Sequence, residues 1–216
     1  MADICYISTE MKSSFDLLLI SPEKDIVGEA KTVSKLFSHG LEIFHLRKPH
    51  WNVEQAQRYL ESIPKEFHNK IVLHSHFQLT DRFGLKGIHL NEENKKLIEQ
   101  FRSYKIISAS FHSLPDLKEN NFSYQYVFLS PIYNSISKTG YNSNFDLKLL
   151  TEDITKLKRE NNSLPSIIAL GGIDAGNIMK VKEAGFSGAA FLGAVWESKN
   201  PVETFLKIKS IVTLSF

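Results

Sequence analysis

The chain has almost no cysteine. Cys5 is the only one among 216 residues. That excludes a disulfide within the chain and a zinc site built from several thiolates, and it fits a reducing, intracellular setting. Long apolar runs are missing too. None reaches the roughly 20 residues a helix needs to cross a bilayer. No basic segment leads into an apolar core near the first residues, so no secretory leader is expected. Excess charge of one sign is also absent: 26 Lys and Arg stand against 24 Asp and Glu, a net of +2. Mixed charge of this size offers no footprint for nucleic acid or for an anionic membrane. No low-complexity linker and no short-period repeat interrupts the chain.

What is present suffices for one sizeable core. Hydrophobic residues make up 42% of the chain, and its length suits a single (β/α)8 barrel, which runs from roughly 200 residues upward. Short apolar runs mark strands at 15–21, 43–46, 70–74, 87–90, 105–109, 126–129, 165–170 and 189–192. Helical spacing marks 26–37, 53–63, 78–83, 114–118, 145–160, 177–184 and 202–212. Asn52 is placed as an N-terminal cap, and Gly40 and Gly185 stand just past two helix ends. Eight strands alternating with helices read as an α/β protein, a single-domain (β/α)8 TIM barrel over 15–216 with a polar lead-in at 1–14. The alternative is an open doubly wound sheet. That fold calls for a glycine-rich dinucleotide turn after the first strand, where Pro22 stands instead.

In a barrel the chemistry gathers at the C-terminal ends of the strands. Ile167 to Leu170 is a continuous apolar run followed by Gly171 and Gly172. Without a Cβ, these glycines let a ligand approach the backbone. Asp174 is placed to cap the next helix, and Gly193 occupies the matching end of the following strand. Two such strand ends side by side make a phosphate clamp. The other strand ends carry His45 and Arg47, His74 and His76, His89, Ser110 and His112, and then Ser130, Tyr133, Ser135, Ser137 and Lys138. His45 and Arg47 are two apart and so share a face, as do His74 and His76. Six of these groups, His45, Arg47, His74, His76, His112 and Lys138, are cationic or can become so, which suits an anion. A lone strand-end histidine is commonly a hydrogen-bonded structural group, but five of them are harder to explain that way. Zinc is one reading of such a set. Zinc-binding histidines usually lean on carboxylates, and only Asp81 and the Glu92-Glu93 pair lie near these strand ends.

Six pieces occur together: His45-Leu46-Arg47, Gly87-Ile88-His89-Leu90, Ser110-Phe111-His112-Ser113, Tyr126 through Tyr133, Ser137-Lys138 and Leu170-Gly171-Gly172-Ile173. In this combination the chain, from about residue 15 to residue 212, resembles the superfamily of thiamine-phosphate synthase and its relative, the thiazole tautomerase. The resemblance implies a cytoplasmic (β/α)8 barrel, often a homodimer, acting on thiazole phosphate or thiamine phosphate. It implies no nucleic-acid or membrane partner. A synthase of this family joins a pyrimidine methyl diphosphate to a thiazole phosphate and releases pyrophosphate. Residue by residue, Arg47, Ser110, Ser135, Ser137 and Lys138 match phosphate-contacting or catalytic positions. Gly171, Gly172 and Gly193, with Ala194 beside it, match the thiazole-phosphate clamp.

The departures are as informative. Where a synthase has Asn-Asp-Asp after strand three, this chain has His74-Ser75-His76; a second Mg2+-binding Asp falls on Asn94, and a basic residue falls on Pro49. Mg2+ depends on carboxylate and other oxygen ligands, so no cofactor is expected unless the chain is a true synthase, which would need Mg2+. His45-Leu46-Arg47 looks more like the tautomerase, whose catalytic His after strand six falls here on Pro131. His112 and His45 are then the candidate proton shuttles, with Lys138 beside the clamp as the third catalytic candidate. Three readings follow: an enzyme close to the tautomerase, a working synthase, or a non-catalytic barrel that binds a thiamine precursor.

Overall fold

The computed structural model describes residues 15–120, 122, 124–134, 145–160 and 164–214. The lead-in expected over 1–14 lies outside them, as do Ser135, Ser137 and Lys138. Eight strands form one closed, all-parallel barrel in chain order. They are β1 (Asp16–Ile20), β2 (Ile43–Leu46), β3 (Ile71–Leu73), β4 (Gly87–Leu90), β5 (Ile107–Phe111), β6 (Tyr126–Leu129), β7 (Ser166–Leu170) and β8 (Gly188–Phe191). The helices are α1 (Glu29–Ser38), α2 (Val53–Glu61), α3 (Leu79–Phe83), α4 (Glu92–Lys95), α5 (Leu114–Lys118), α6 (Leu147–Glu160), α7 (Ile178–Glu183), α8 (Gly193–Trp196) and α9 (Pro201–Thr213). Among the described residues, no helix is long and apolar enough to cross a membrane.

Alternation along each strand divides the side chains into two sets. One set faces the helices and forms the main core, with Leu19, Phe44, Leu73, Ile88, Val127 and Ile167 all within 1% of complete burial. The other set faces the barrel axis. Leu18, Ile20, Tyr126, Phe128, Ile168 and Ala190 form its apolar part. The strand register places His89 beside Ser108 and Ser108 beside Tyr126, so these polar residues share the inner face. His45 pairs with Val72 on the same face.

Local chemistry explains most element ends. Asn52 starts α2 with a reciprocal cap, since its side chain accepts from Gln55 N while the Gln55 side chain accepts from Asn52 N. Helix α1 begins at Glu29 rather than at residue 26, because Gly28 takes φ +78° and leaves Ile26 and Val27 exposed outside the helix. Strand β5 runs two residues later than the expected 105–109, carrying Ser108 and Ser110 within the sheet. Asp174 does not cap α7: Asn177 is the N-cap residue, and the Asp174 carboxylate accepts instead from Gly176 N at 2.7 Å. Two short helices, α4 and α8, were not expected, and both begin at the cavity described next.

Candidate active site

The C-terminal ends of the strands enclose a cavity of about 310 Å3. One wall comes from β7 and β8, with Leu170, Gly171, Gly172 and Ile173 after the first and Leu192, Gly193 and Ala194 after the second. Gly171 and Gly172 have φ of +101° and +63°, the left-handed region in which a Cβ is strained. A Cβ on Gly171 would lie 2.9 Å from Pro131 Cα, and one on Gly172 would lie 2.4 Å from the Asn134 carbonyl oxygen. The room left by the missing side chains is therefore filled by the segment after β6, not by a ligand. These contacts let Ile132 and Tyr133 donate N–H bonds to the carbonyls of Leu170 and Gly171, at 3.0 and 3.1 Å. Asn177 fastens the turn by donating to Gly172 O at 2.8 Å and accepting from Asp174 N at 3.0 Å. Gly193 and Ala194 are the first residues of α8, where helical N–H groups have no intrahelical partner.

The floor is aromatic and polar. Phe128, His74 and His89 line it. His74 and His89 stack with ring centroids 4.3 Å apart and planes at 22°. His45 is fully buried and lies beneath the floor, outside the cavity lining. Its Nδ1 bonds to His74 Nε2 at 2.9 Å, and Tyr126 Oη bonds to its Nε2 at 2.8 Å. Burial holds the His45 and His74 imidazoles far below their usual titration range, with the neighbouring His89 adding to the effect. Burial first, and then Lys95, brings His89 down to about 3. These rings are neutral at physiological pH, so the cavity is less cationic than the sequence implies.

The rim carries the charge. Arg47 follows β2 and lines the cavity, and its guanidinium is paired with Glu23. Ser21 fixes the Arg47 backbone, accepting from its N–H at 2.7 Å and donating to its carbonyl at 3.0 Å. Lys95 ties α4 to β5, with Nζ 2.9 Å from Ser110 O and 2.7 Å from the Glu92 carboxylate. Ser110 reaches His89 Nε2 at 2.9 Å. His112 is exposed at the cavity, with Nδ1 2.9 Å from Ser130 O. A carbonyl only accepts, so Nδ1 carries a proton, and in the neutral tautomer Nε2 is the free acceptor. His76 departs from the expected face. With φ +54° it leaves the line of β3, and its Nε2 meets Trp51 O at 2.8 Å, away from His74.

The fold agrees with that of solved relatives. The family model described as thiamine monophosphate synthase matches residues 17–195. The chain belongs to that family. A thiamine-phosphate synthase from Staphylococcus saprophyticus is 28% identical over 204 residues, covering 88% of this chain and 92% of that protein. The crystal structure of a thiamine phosphate pyrophosphorylase from Bacteroides thetaiotaomicron shows 33% identity and a TM-score of 0.76, covering 94% of this chain and 100% of that one. The pyrophosphorylase of Pyrococcus furiosus, at 16% identity, shares the fold with a TM-score of 0.75.

Within the family frame, the Mg2+ donors do not fit. Ser75 has no carboxylate and lines a separate small pocket with Leu46, Lys48 and Trp51. Asn94 is part of the start of α4, where its N–H bonds to Asn91 Oδ1 at 2.8 Å. Among the described lining residues Glu92 is the one carboxylate, and it is engaged with Lys95. The structure thus brings together Arg47, Ser110, His112, Gly171, Gly172, Gly193 and Ala194 around one cavity. Sequence reasoning missed Phe128, Asn91 and the inward-facing pair Ser108 and Tyr126, and named Glu92 only as a carboxylate near the strand ends. A serine and a tyrosine at alternate-position parity with the strand histidines were the available signal.

Proposed function

We propose that this enzyme acts on a phosphorylated thiazole of thiamine biosynthesis and moves protons on its ring, as a thiazole tautomerase does. One observation carries the reading: the cavity joins a glycine-walled end to a floor of neutral imidazoles, with its single lining carboxylate tied to Lys95. The phosphate is held against the backbone at Gly171, Gly172, Gly193 and Ala194, at the start of α8. Arg47 closes the charged side of the ligand. His112 is the base: its Nδ1–H is fixed on Ser130 O, so Nε2 is ready to accept a proton from the ring. Ser135, Ser137 and Lys138, outside the described residues, keep in this reading the phosphate-contacting or catalytic roles that the resemblance implies, in a cytoplasmic homodimer that requires no cofactor.

The second reading is a working synthase. The names of the two relatives at 28% and 33% identity favour it. It requires Mg2+ to hold the diphosphate, and the described lining offers one carboxylate, Glu92, already paired with Lys95. Incubation with thiazole phosphate and the pyrimidine diphosphate, with and without Mg2+, separates the two. Isomerisation of the thiazole phosphate seen by NMR, with no pyrophosphate released, supports the tautomerase reading. Mg2+-dependent pyrophosphate overturns it in favour of the synthase. Tight binding without turnover of either kind leaves a binding protein.

A further inference from the structure

We propose that the polar layer beneath the cavity is a neutral proton relay, in which a proton taken up at His74 is matched by one released at Ser110. Six side chains stand in one row, four of its five links being hydrogen bonds of 2.8 to 2.9 Å. His74 Nε2 meets His45 Nδ1 at 2.9 Å, and His45 Nε2 meets Tyr126 Oη at 2.8 Å. Tyr126 and Ser108 are register partners on β6 and β5, and the two hydroxyls interact across the strands. Ser108 Oγ meets His89 Nδ1 at 2.9 Å, and His89 Nε2 meets Ser110 Oγ at 2.9 Å. His74, His89 and Ser110 line the cavity, whereas His45, Tyr126 and Ser108 are buried beneath it. Such barrels usually fill this interior with branched apolar side chains, so five strands carrying a polar row need a reason beyond packing.

The path has two polarities, and in both the Ser108 hydroxyl turns from Ile88 O, which it meets at 3.3 Å, into the path. In one, His74 Nε2–H donates to His45 Nδ1, His45 Nε2–H to Tyr126, Tyr126 O–H to Ser108, Ser108 O–H to His89 Nδ1, and His89 Nε2–H to Ser110. A proton arriving at His74 Nδ1 moves each of these hydrogens one place along. Each imidazole gains a proton on one nitrogen and loses one from the other, and Ser110 delivers its own hydrogen to the cavity. No member becomes an ion. That matters because burial strongly disfavours every charged form here: the three imidazoles are held neutral, and the Tyr126 hydroxyl is pushed well above its usual range. On a bound heterocycle the net result is removal of a proton at one ring position and delivery at another.

A metal site is the competing use of the same histidines, whose nitrogens lie within 4.8 Å of one another. The geometry opposes it. His45 and His74 already bond to each other, and the lone pairs of two stacked rings run side by side rather than converging. The charges acting on the trio come from Arg47 and Lys95, both positive.

The relay rests on the tautomerase reading for its substrate, so its test begins without substrate. Nitrogen-15 NMR of labelled histidines reads the protonation of each ring nitrogen in the intact protein. At pH 7, three neutral rings are expected, and Tyr126→Phe is expected to change the tautomer ratio of His89, which it does not touch, as well as that of His45. Ser108→Ala breaks the next link and serves as the second variant. A charged ring, or a His89 indifferent to both breaks, overturns the relay. So does stoichiometric Zn2+ uptake by the wild type that His74→Ala abolishes. With thiazole phosphate as substrate, Tyr126→Phe is expected to lower kcat roughly 10-fold or more at unchanged KM. If the wild type does not isomerise that substrate, the functional reading fails while the NMR result still decides the relay.

Discussion

The two halves of the barrel interior are built on opposite principles. Strands β7, β8 and β1 line it with Ile168, Ala190, Leu18 and Ile20, and β7 and β8 lead into glycines. Strands β2 to β6 line it with imidazoles, hydroxyls and one phenol, in two hydrogen-bonded groups that meet at Tyr126 and Ser108. The first half offers backbone and little chemistry, which suits anchoring an anion. The second offers groups that accept and donate protons while staying neutral. The difference shows how one barrel separates holding a ligand from acting on it, and damage to either half should have its own signature.

The largest effect is expected at their junction. Phe128 is fully buried between His45 and His89, with centroids at 4.7 and 4.8 Å. Phe128→Ala should cost about 3–5 kcal/mol through the cavity left behind, measured as a shift in the urea midpoint. In the anchoring half, Gly172→Ala should cost roughly 3 kcal/mol, because it combines left-handed strain with a clash against Asn134. Stability equal to wild type would show that the Gly-Gly turn is not under the constraint described. Gly193→Asp should weaken phosphate binding about 10- to 100-fold, as charge-assisted bonds worth roughly 1.5–3 kcal/mol are replaced by repulsion. Calorimetry with thiazole phosphate reads this, and wild-type affinity would remove Gly193 from the clamp.

The imidazole half predicts a pH signature. Its histidines stay unprotonated when folded but take up protons when unfolded below about pH 6.5. The unfolded state then binds more protons, so stability falls as the pH drops from 6.5 toward the folded value of about 3 for His89. Each unbalanced proton contributes about 1.4 kcal/mol per pH unit. Asp16 acts in the opposite sense between 3.8 and 6, since burial, aided by Glu42, raises its carboxyl to about 6 and the folded state holds that proton. Urea titrations at pH 7.5, 6.5 and 5.5 check the slope; a flat profile would mean that the rings are charged in the folded protein. As a control outside both halves, Arg102→Ala removes an exposed pair with Glu99 and should change stability by less than about 0.5 kcal/mol.

Much of this architecture was legible. The strands β2, β4 and β6 match the expected bounds because each is a short apolar run with turn residues on both sides. Strand β5 was misplaced for an instructive reason. Its last residues, Ser110 and Phe111, look like a turn only if the barrel interior is taken to be apolar, and here it is not. His45 and Arg47 share a strand direction, yet one is sealed under Phe128 and the other reaches the rim. The level of a residue along the barrel axis is set by the stagger of neighbouring strands, and one strand's sequence does not record it. The two glycines were found as a pair, but their spatial reason, the close approach of the segment after β6, involves residues about 40 positions away in the chain.

The sequence by itself determined the alternation of strands and helices, the glycine turn after β7, and the loss of the Mg2+ carboxylates at Ser75 and Asn94. The first two follow from local periodicity and residue type, which need no partner to be read, and the third from the resemblance to the synthase pattern. Only the tertiary structure decided which histidines face the ligand and which are buried, that the floor is neutral, and that six polar side chains from five strands stand in one row. Hydrogen-bond partners up to 81 residues apart meet only when the barrel closes, and burial, not residue type, then decides their charge.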